Sequence, residues 1–474
     1  MKNSGTLIVS ISGIRGIFGD GLDPSVLVKY AGAFGTWCRR RADAAGQEPV
    51  IVVGRDARVS GPVCMQIVAA TLRSAGCDVI DAGLSPTPTV EMAVLAEKAA
   101  GGIVLSASHN PAEWNALKLL NEKGEFLSAE EGQAVIDLAE AGKAETVSYD
   151  ALGSFRSHDY LPHHIAQIKA LEFIDTEAIV ERDFSVVVDG INSVGAIAIP
   201  RLLQALGVQG EHVTVLNGEP TGHFAHPAEP LPENVTELTK AVPAQGADLG
   251  IAVDPDADRL ALVDNEGRYV LEELTQVIAA DFLWGGRDGP FVTNLSSSRA
   301  IDDVAARRGQ PVHRSAVGEI NVVKKMQAVG ATLGGEGNGG VILPDLHHGR
   351  DALVGTAMVL QHLANEATTL AAVHDALPHY AIVKDKLPLD GLDVDRLLGL
   401  VEQRYQAADD ASISTVDGVK ISFPASWVHL RASNTEPILR IYAEAATADE
   451  ARSLVDRFKD ELQRTASGPA SSSQ

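Results

Sequence analysis

The sequence predicts an α/β fold: three similar mixed-sheet α/β domains followed by a C-terminal α+β domain. A unit of buried strand, polar turn, helix and second strand occurs three times, starting near residues 50, 184 and 290. The strands of these units are apolar throughout, which is typical of sheets covered by helices on both faces. After residue 387 the strands alternate between apolar and polar residues, which favours an antiparallel sheet.

The three units follow the same order, and glycine ends each helix. The first has a strand at 50–54, a helix at 62–74 before Gly76, and a strand from 78. The second has a strand at 184–190, a helix ending before Gly207, and a strand at 212–216. The third has a strand at 290–295, a helix at 302–308 before Gly309, and a strand from 311. One large doubly wound sheet is the alternative, but sheets seldom exceed about ten strands without splitting, so separate domains are favoured.

The C-terminal region has a different pattern. Helices are expected at 393–406 and 447–464, and strands at 412–416, 418–423, 427–431 and 438–445. Period-two strands between helices predict an α+β domain. The last residues are rich in Ser, Ala and Gly, which is typical of a disordered tail.

Composition excludes several classes of function. The chain has 39 Lys and Arg residues against 63 Asp and Glu residues, a net charge of −24. A field of this sign repels nucleic acid and anionic membranes, so an anionic substrate needs a locally positive pocket. The three cysteines, Cys38, Cys64 and Cys77, have no metal-like spacing, and no run of 18 apolar residues or export signal is present. We therefore expect a cytoplasmic protein with neither nucleic acid nor membrane as a partner.

An acidic turn follows a strand-like run at 249–253. It places Asp254, Asp256 and Asp258 two residues apart, a set of hard oxygen ligands suited to Mg²⁺ or Ca²⁺. A calcium-binding EF-hand loop is excluded, because it needs Gly and Glu where Arg259 and Asn265 stand. A solvated acidic turn is the other alternative. The end of a buried strand is where α/β folds bind ligands, which favours a metal site.

A second polar segment, Ser-Ala-Ser-His-Asn-Pro at 106–111, also follows a strand. Helix capping by Asn110 would explain part of it. It would leave Ser108, His109 and the nearby Lys118 unexplained, a set able to act as nucleophile, orienting group and proton donor or acceptor. The sequence identifies no third member of an acyl-transfer triad. A serine beside a Mg²⁺ site is better suited to phosphoryl transfer.

Other polar loops offer weaker signals. The turn 431–437, Arg-Ala-Ser-Asn-Thr-Glu-Pro, has donors that match a phosphate dianion, although Ser-Asn-Thr is also ordinary turn chemistry. The glycine-rich loop 333–340 carries Glu336 and Asn338, natural partners for sugar hydroxyls, but a flexible turn would also explain it. Arg15 and Arg58 add positive charge on glycine-flanked loops.

Taken in order, the motifs resemble those of the α-D-phosphohexomutase family. They are SGIRG, GRDARVSG, SASHNP followed by Lys118, DPDADR, GEGNGG and RASNTEP, and they span residue 11 to about residue 464. The family includes phosphoglucomutase, phosphomannomutase and phosphoglucosamine mutase. The resemblance implies three similar α/β domains and a fourth around a central cleft.

The resemblance implies a reversible shift of phosphate between C6 and C1 of a hexose, through a phosphoserine and a hexose 1,6-bisphosphate, which is also the activator. Ser108 would be the phosphoserine, and its phosphate and the three aspartates would bind Mg²⁺. Lys118 is implied as general acid or base, with its pKa lowered by nearby cations. The residues implied to support the transferring group are His109, Arg15 and Arg259. Those implied to hold the hexose phosphate are Glu336, Asn338, Arg431, Ser433, Asn434, Thr435 and Arg440.

The expected domains are 1–153 with the phosphoserine, 154–257 with the metal site, 258–378 with the sugar site and 379–466 with the phosphate site. Residues 467–474 are expected to form a disordered tail, and the protein to be a monomer or homodimer.

The sequence departs from the family at one loop. Many members read GEMSGH, whereas this chain has Gly340 in place of the histidine. His347, His348 or Arg350 are candidates to replace it. The GEGNGG form resembles the archaeal-type phosphoglucosamine mutase branch, which favours glucosamine phosphate over glucose or mannose phosphate.

Two other functions would also fit these motifs. A Mg²⁺-dependent sugar-phosphate phosphatase would use similar ligands but would release inorganic phosphate. A non-catalytic sugar-phosphate sensor would keep the binding loops, but the intact serine and aspartates count against it.

Overall fold

The chain folds around four separate sheets. The structure is a computed structural model that describes residues 5–11, 13–389, 393–406, 408–433 and 438–467. Within these ranges there are 22 strands and 15 α-helices. Three sheets are mixed and the fourth is antiparallel throughout. The predicted fold class of three mixed-sheet α/β domains and a C-terminal α+β domain is therefore confirmed, and the single large sheet is excluded.

The first domain has an eight-stranded sheet. Its elements are β1 (Ile8–Ser10), β2 (Gly13–Phe18), β3 (Gly21–Leu22), α1 (Pro24–Ala45), β4 (Val50–Arg55), α2 (Gly61–Ser74), β5 (Asp78–Leu84), α3 (Thr87–Glu97), β6 (Gly101–Leu105), β7 (Trp114–Leu120), α4 (Ala129–Glu140) and β8 (Phe155–Ser157). The strand order is β1-β2-β7-β6-β4-β5-β8, with β3 beside β2.

The central strand β4 shows why these strands are apolar throughout. Ile51 and Val53 pack into the core beneath α1, α2 and α4, whereas Val52 packs into a second core on the α3 side. Because helices cover both faces, neither set of alternate side chains meets solvent.

The second domain has a five-stranded sheet in the order β10-β9-β11-β12-β13. Its elements are α5 (Leu161–Lys169), α6 (Thr176–Arg182), β9 (Val186–Asp189), α7 (Gly195–Leu206), β10 (Val213–Leu216), α8 (Thr236–Gln245), β11 (Leu249–Val253), β12 (Leu260–Asp264) and β13 (Tyr269–Val270). Strands β11 and β12 form an antiparallel hairpin, and the acidic turn connects them.

The third domain has a four-stranded sheet in the order β15-β14-β16-β17. Its elements are α9 (Glu272–Trp284), β14 (Phe291–Asn294), α10 (Ala300–Arg308), β15 (Val312–Ser315), α11 (Glu319–Val329), β16 (Leu333–Glu336), β17 (Gly340–Ile342), α12 (Ala352–Asn365) and α13 (Leu370–Ala376). The glycine-rich loop is the turn between β16 and β17.

The fourth domain has an antiparallel sheet in the order β18-β22-β21-β20-β19. Its elements are β18 (Ala381–Pro388), α14 (Val394–Tyr405), β19 (Ser412–Ser414), β20 (Val419–Ser422), β21 (Trp427–Ala432), β22 (Ile438–Ala445) and α15 (Ala448–Ser467). Leu430 and Ile441 on the sheet share one core with Val455 and Phe458 on α15.

The structure differs from the sequence expectations at several points. Residues 110–113 form no helix and lead into strand β7, so the capping interpretation of Asn110 was wrong. Strand β8 joins the first sheet, and β12 and β13 join the second, although the expected boundaries at 153 and 257 separate them from those sheets. Of the expected tail, Ser467 ends α15, and 468–474 lie outside the described residues.

No helix in the described ranges is both long and apolar enough to cross a membrane.

A buried polar network joins the first three domains. His347 lies between two carboxylates, with Nδ1 2.9 Å from Glu91 and Nε2 3.4 Å from Asp351. The same oxygen, Asp351 Oδ2, lies 2.9 Å from His164 Nε2, and His164 Nδ1 lies 3.0 Å from the Thr89 hydroxyl. Burial lowers the pKa of His347, but Asp351 and Glu91 outweigh that cost and raise it to about 10. The imidazolium therefore compensates two buried carboxylates.

We expect this network to make stability fall as the pH rises from 8 to 10. His347 stays protonated in the folded protein and is neutral in the unfolded chain, so the folded state holds the extra proton. The free energy of unfolding should decline by up to about 1.4 kcal/mol per pH unit. His347→Gln should remove that part of the slope and cost about 3 kcal/mol at pH 7, because it leaves buried carboxylates uncompensated.

Urea unfolding at pH 8, 9 and 10 would measure the effect. His362→Gln is the control, because burial lowers the pKa of His362 and it carries no proton to lose in this range. An unchanged slope in His347→Gln would contradict the assignment of charge to His347.

Candidate active site

The loop after β6 holds Ser108 in a strained conformation. Its φ is +50°, in the left-handed region that non-glycine residues adopt infrequently. Ser108 N donates to Ser106 Oγ at 2.9 Å, and Ser106 Oγ donates to Asp56 at 2.7 Å. These bonds present the nearly buried Ser108 hydroxyl to the second domain, where it donates to Asp254 Oδ2 at 2.6 Å.

The buried side chain of Arg58 contacts the backbone of this loop. Its side chain is fully buried and paired with Asp56 at 2.9 Å. The guanidinium donates to the carbonyls of Ser108 at 2.6 Å, Asn110 at 2.7 Å and Trp114 at 2.9 Å. Arg58 thus stabilises the loop by hydrogen bonds to its backbone, whereas the sequence indicated only an added positive charge.

The acidic turn brings three carboxylates together without solvent. Asp254, Asp256 and Asp258 are all buried, and their oxygens lie within 4.8 Å of one another. Asp254 Oδ1 accepts the backbone N–H groups of Asp258 and Arg259, each at 3.1 Å. Burial, followed by repulsion from the other two carboxylates, raises the pKa of Asp254 well above its usual value. The turn is therefore short of positive charge.

The donor set fits a hard divalent cation. Within the described residues, Asp256 Oδ1 and Asp258 Oδ1 are buried and have no hydrogen-bond partner. Buried carboxylate oxygens without a donor are costly unless a cation binds them. Mg²⁺ prefers carboxylate oxygen ligands. The residues present thus fit the predicted magnesium site.

The remaining oxygens of the turn are held by other domains. Asp256 Oδ2 accepts from Lys118 Nζ and from the Thr87 hydroxyl, both at 2.6 Å. Asp258 Oδ2 accepts from Arg350 at 2.7 Å. In both carboxylates, the protein therefore holds Oδ2 and leaves Oδ1 without a partner among the described residues.

The expectation of a lowered pKa for Lys118 was wrong. Burial does lower it, but the carboxylates of Asp256 and Asp258 outweigh burial and leave the pKa above its ordinary value. Nearby anions, not cations, are the closest partners of Nζ. Lys118 is therefore a charged proton donor in this structure.

His109 lies beside Arg259 and is neutral. Arg259 donates to His109 Nδ1 at 2.8 Å and is paired with Glu229 at 2.8 Å. Burial, followed by repulsion from Arg259, lowers the pKa of His109 to about 2. A guanidinium can only donate, so the imidazole proton is on Nε2, and Nδ1 lies 3.4 Å from Ser108 Oγ.

Strand register brings Arg15 to the same face of the sheet as Lys118. Arg15 on β2 is paired with Ala116 on β7, and Lys118 lies two residues further along β7. Burial lowers the pKa of Arg15.

The third domain contributes Glu336 at the end of β16. Glu336 Oε1 accepts from Asn294 at 2.9 Å and from Gly318 N at 3.2 Å, and Oε2 accepts from Arg350 at 3.2 Å. Asn338 Oδ1 accepts the Gly340 N–H at 3.2 Å within the turn. Both predicted sugar-binding side chains thus lie on the loop that faces the acidic turn, where Leu260 N donates to Gly339 O at 3.0 Å.

The fourth domain presents a row of three cations. Strand pairing sets Lys386 opposite Arg440, and Arg440 opposite Arg431, so all three lie on one face of the sheet. Arg and Lys side chains grouped on one face are suited to binding an anion such as phosphate. Arg431 Nε also lies 3.7 Å from Asp417, which accepts from Val317 N in the third domain at 3.0 Å. Ser433 follows β21, and the predicted Asn434 and Thr435 lie outside the described residues.

Sequence patterns missed two residues that the fold brings to the site. Thr87 begins α3 and donates a hydrogen bond to Asp256, and Lys386 extends the row of cations. Each lies far along the chain from the motif that it contacts. Of the three candidates to replace the family histidine, His347 belongs to the buried network and His348 faces Glu125 at 3.6 Å. Arg350 alone of these three has described contacts with the acidic turn and Glu336.

Comparison with known proteins covers nearly the whole chain. Four models of the phosphoglucomutase/phosphomannomutase family match: α/β/α domain I at 7–146, domain II at 162–267, domain III at 272–380 and the C-terminal domain at 384–461.

Individual relatives agree with the family models. A phosphoglucomutase/phosphomannomutase of Thermococcus kodakarensis is 37% identical over 94% of this chain and 96% of its own. A phosphoglucosamine/phosphogalactosamine mutase of Sulfurisphaera tokodaii is 32% identical over 94% and 97%. The crystal structure of a family protein from Burkholderia thailandensis has a TM-score of 0.81 at 27% identity, covering 98% of this chain and 99% of that one. The chain therefore belongs to the phosphoglucomutase/phosphomannomutase family of phosphohexomutases, which are isomerases.

Proposed function

We propose that this enzyme moves phosphate reversibly between C6 and C1 of a hexose by way of phospho-Ser108 and a hexose 1,6-bisphosphate. The contact between Ser108 Oγ and Asp254 Oδ2 at 2.6 Å carries the proposal, because it joins a nucleophile to a carboxylate cluster that fits Mg²⁺. Mg²⁺ bound there would neutralise charge on the phosphoryl group.

Phosphorylation changes the role of Asp254. In the unphosphorylated protein the Ser108 hydroxyl donates a hydrogen bond to Asp254, whereas a phosphoserine has no hydroxyl proton to donate. Asp254 Oδ2 then loses its donor and becomes available to a cation, together with the unpartnered oxygens of Asp256 and Asp258. Metal binding and phosphorylation of Ser108 should therefore support each other.

Charged and neutral donors surround the position of transfer. Phospho-Ser108 gives its phosphoryl group to the free hydroxyl of the sugar monophosphate, which forms the bisphosphate. Lys118, which is charged here, gives a proton to Ser108 Oγ as the P–O bond breaks, and the proton lost by the attacking sugar hydroxyl restores the Lys118 ammonium. The Nε2–H of neutral His109, with Arg15 and Arg259, stabilises the negative oxygens. Return of the other phosphate to Ser108 completes the cycle.

The row of Arg431, Arg440 and Lys386 supports a binding site for the phosphate that does not react, with Ser433 and the predicted Asn434 and Thr435 beside it. Glu336 and Asn338 would accept sugar hydroxyls. The loop sequence favours glucosamine phosphate as the substrate. The names of the relatives add glucose, mannose and galactosamine phosphates as candidates.

The first test is a ³¹P NMR time course with Mg²⁺ and a trace of glucose 1,6-bisphosphate. Glucosamine, glucose and mannose 6-phosphates are supplied separately, and a C1-phosphate resonance is expected fastest with glucosamine 6-phosphate. Ser108→Ala should abolish it, and Ser74→Ala, whose hydroxyl bonds within α2, should not. Release of inorganic phosphate alone would identify a phosphatase, and no change with any sugar would favour a sensor.

A second prediction concerns the metal. Asp256→Asn should weaken Mg²⁺ binding by at least about tenfold, because it removes a charge and an open ligand oxygen. Isothermal titration with Mg²⁺ measures this directly. Asp189→Asn, a buried aspartate at the end of β9 that bonds His226, is the matched control and should bind Mg²⁺ as the wild type does. Equal affinity of the Asp256 variant and the wild type would refute the metal assignment.

A further inference from the structure

We propose that Arg350 is a positioning residue that fixes the sugar-binding carboxylate Glu336 relative to the metal-binding carboxylate Asp258. The inference rests on the proposed function of this site and assigns a task to a residue outside the motifs.

The Arg350 guanidinium contacts three carboxylates. NH2 lies 2.7 Å from Asp258 Oδ2, NH1 lies 3.2 Å from Glu336 Oε2, and Nε lies 3.2 Å from Glu319. The Arg350 backbone N–H also donates to Glu319 at 2.9 Å, which fixes the base of the side chain. One planar group thus sets the separation of two functional carboxylates from different domains, which the fork geometry of Arg permits and a point charge does not.

The side chain of Arg350 fills the space above Gly340. A Cβ at this position would lie 2.3 Å from Arg350 Cδ and 2.8 Å from Cγ. The backbone of Gly340 is not in the left-handed region, so its conformation does not demand glycine. The requirement is for room, because the stem of Arg350 crosses the turn where a side chain would project.

Arg350 holds one particular oxygen of each carboxylate. It occupies Asp258 Oδ2 and leaves Oδ1 without a donor among the described residues. Arg350 therefore orients the carboxylate so that one oxygen remains for a cation. It also occupies Glu336 Oε2, while Asn294 and Gly318 hold Oε1. Loss of the guanidinium would remove the hydrogen bonds to Asp258 Oδ2 and Glu336 Oε2 at once.

The test is a double-mutant cycle of Gly340→Ala and Arg350→Ala. It is measured as kcat/KM with a hexose 6-phosphate and as Mg²⁺ affinity by calorimetry. In the wild-type background, Gly340→Ala should lower kcat/KM at least about tenfold and change Mg²⁺ affinity at least about threefold, because the new methyl displaces Arg350. In the Arg350→Ala background the stem is gone, so the same substitution should change either quantity less than about twofold.

Arg350→Lys separates bridging from charge alone. Lysine keeps the charge but cannot contact three carboxylates as a fork, so kcat/KM should still fall at least about tenfold with the melting temperature close to that of the wild type.

The outcomes distinguish the proposals. Equal effects of Gly340→Ala in both backgrounds, or near-wild-type kinetics of Arg350→Lys, would overturn the role of Arg350. If no sugar phosphate is converted by the wild type, the proposed function fails, and the cycle in Mg²⁺ affinity still decides whether Arg350 positions Asp258.

Discussion

Burial of three carboxylates in one turn is the constraint on which the rest of the site depends. Asp254, Asp256 and Asp258 repel one another where no solvent screens them, and each must be compensated from outside the turn. The first domain supplies the Ser108 hydroxyl and the Lys118 ammonium, and the third domain supplies Arg350. Two oxygens still have no partner in the described chain, and this deficit fits the binding of a cation.

The same compensation holds the domains together. Helix α3 of the first domain contacts the acidic turn through Thr87 and, two to four residues later, the buried histidine network through Thr89 and Glu91. The segment that carries His347 in that network also carries Arg350, which contacts Asp258 of the acidic turn. Stability and site geometry thus depend on shared elements, because charges buried between domains must be paired across them.

Much of this arrangement could be predicted from local pattern. Apolar strands with glycine-ended helices indicated the three α/β domains, since burial on both faces leaves a clear signal in sequence. The motifs at Ser108 and the acidic turn could be identified from the sequence, because the ends of strands place such residues at one edge of a sheet. The contacts of Arg350, the place of Lys386 and the structural role of Arg58 could not be predicted, because each depends on partners that only tertiary packing brings near. The predicted shift of the Lys118 pKa was wrong for the same reason, because the direction of the shift depends on which charges lie closest in space.

The central claim is that Ser108 stores the phosphoryl group between the two halves of the reaction. Intact-protein and peptide mass spectrometry during a chase tests this most directly. The enzyme is first incubated with glucose 1,6-bisphosphate and Mg²⁺ and then given an excess of hexose 6-phosphate. The account predicts that the Ser108 peptide gains one phosphoryl group and loses it in the chase as the bisphosphate appears. Continued isomerisation with no phosphoryl group on Ser108 at any time would contradict it.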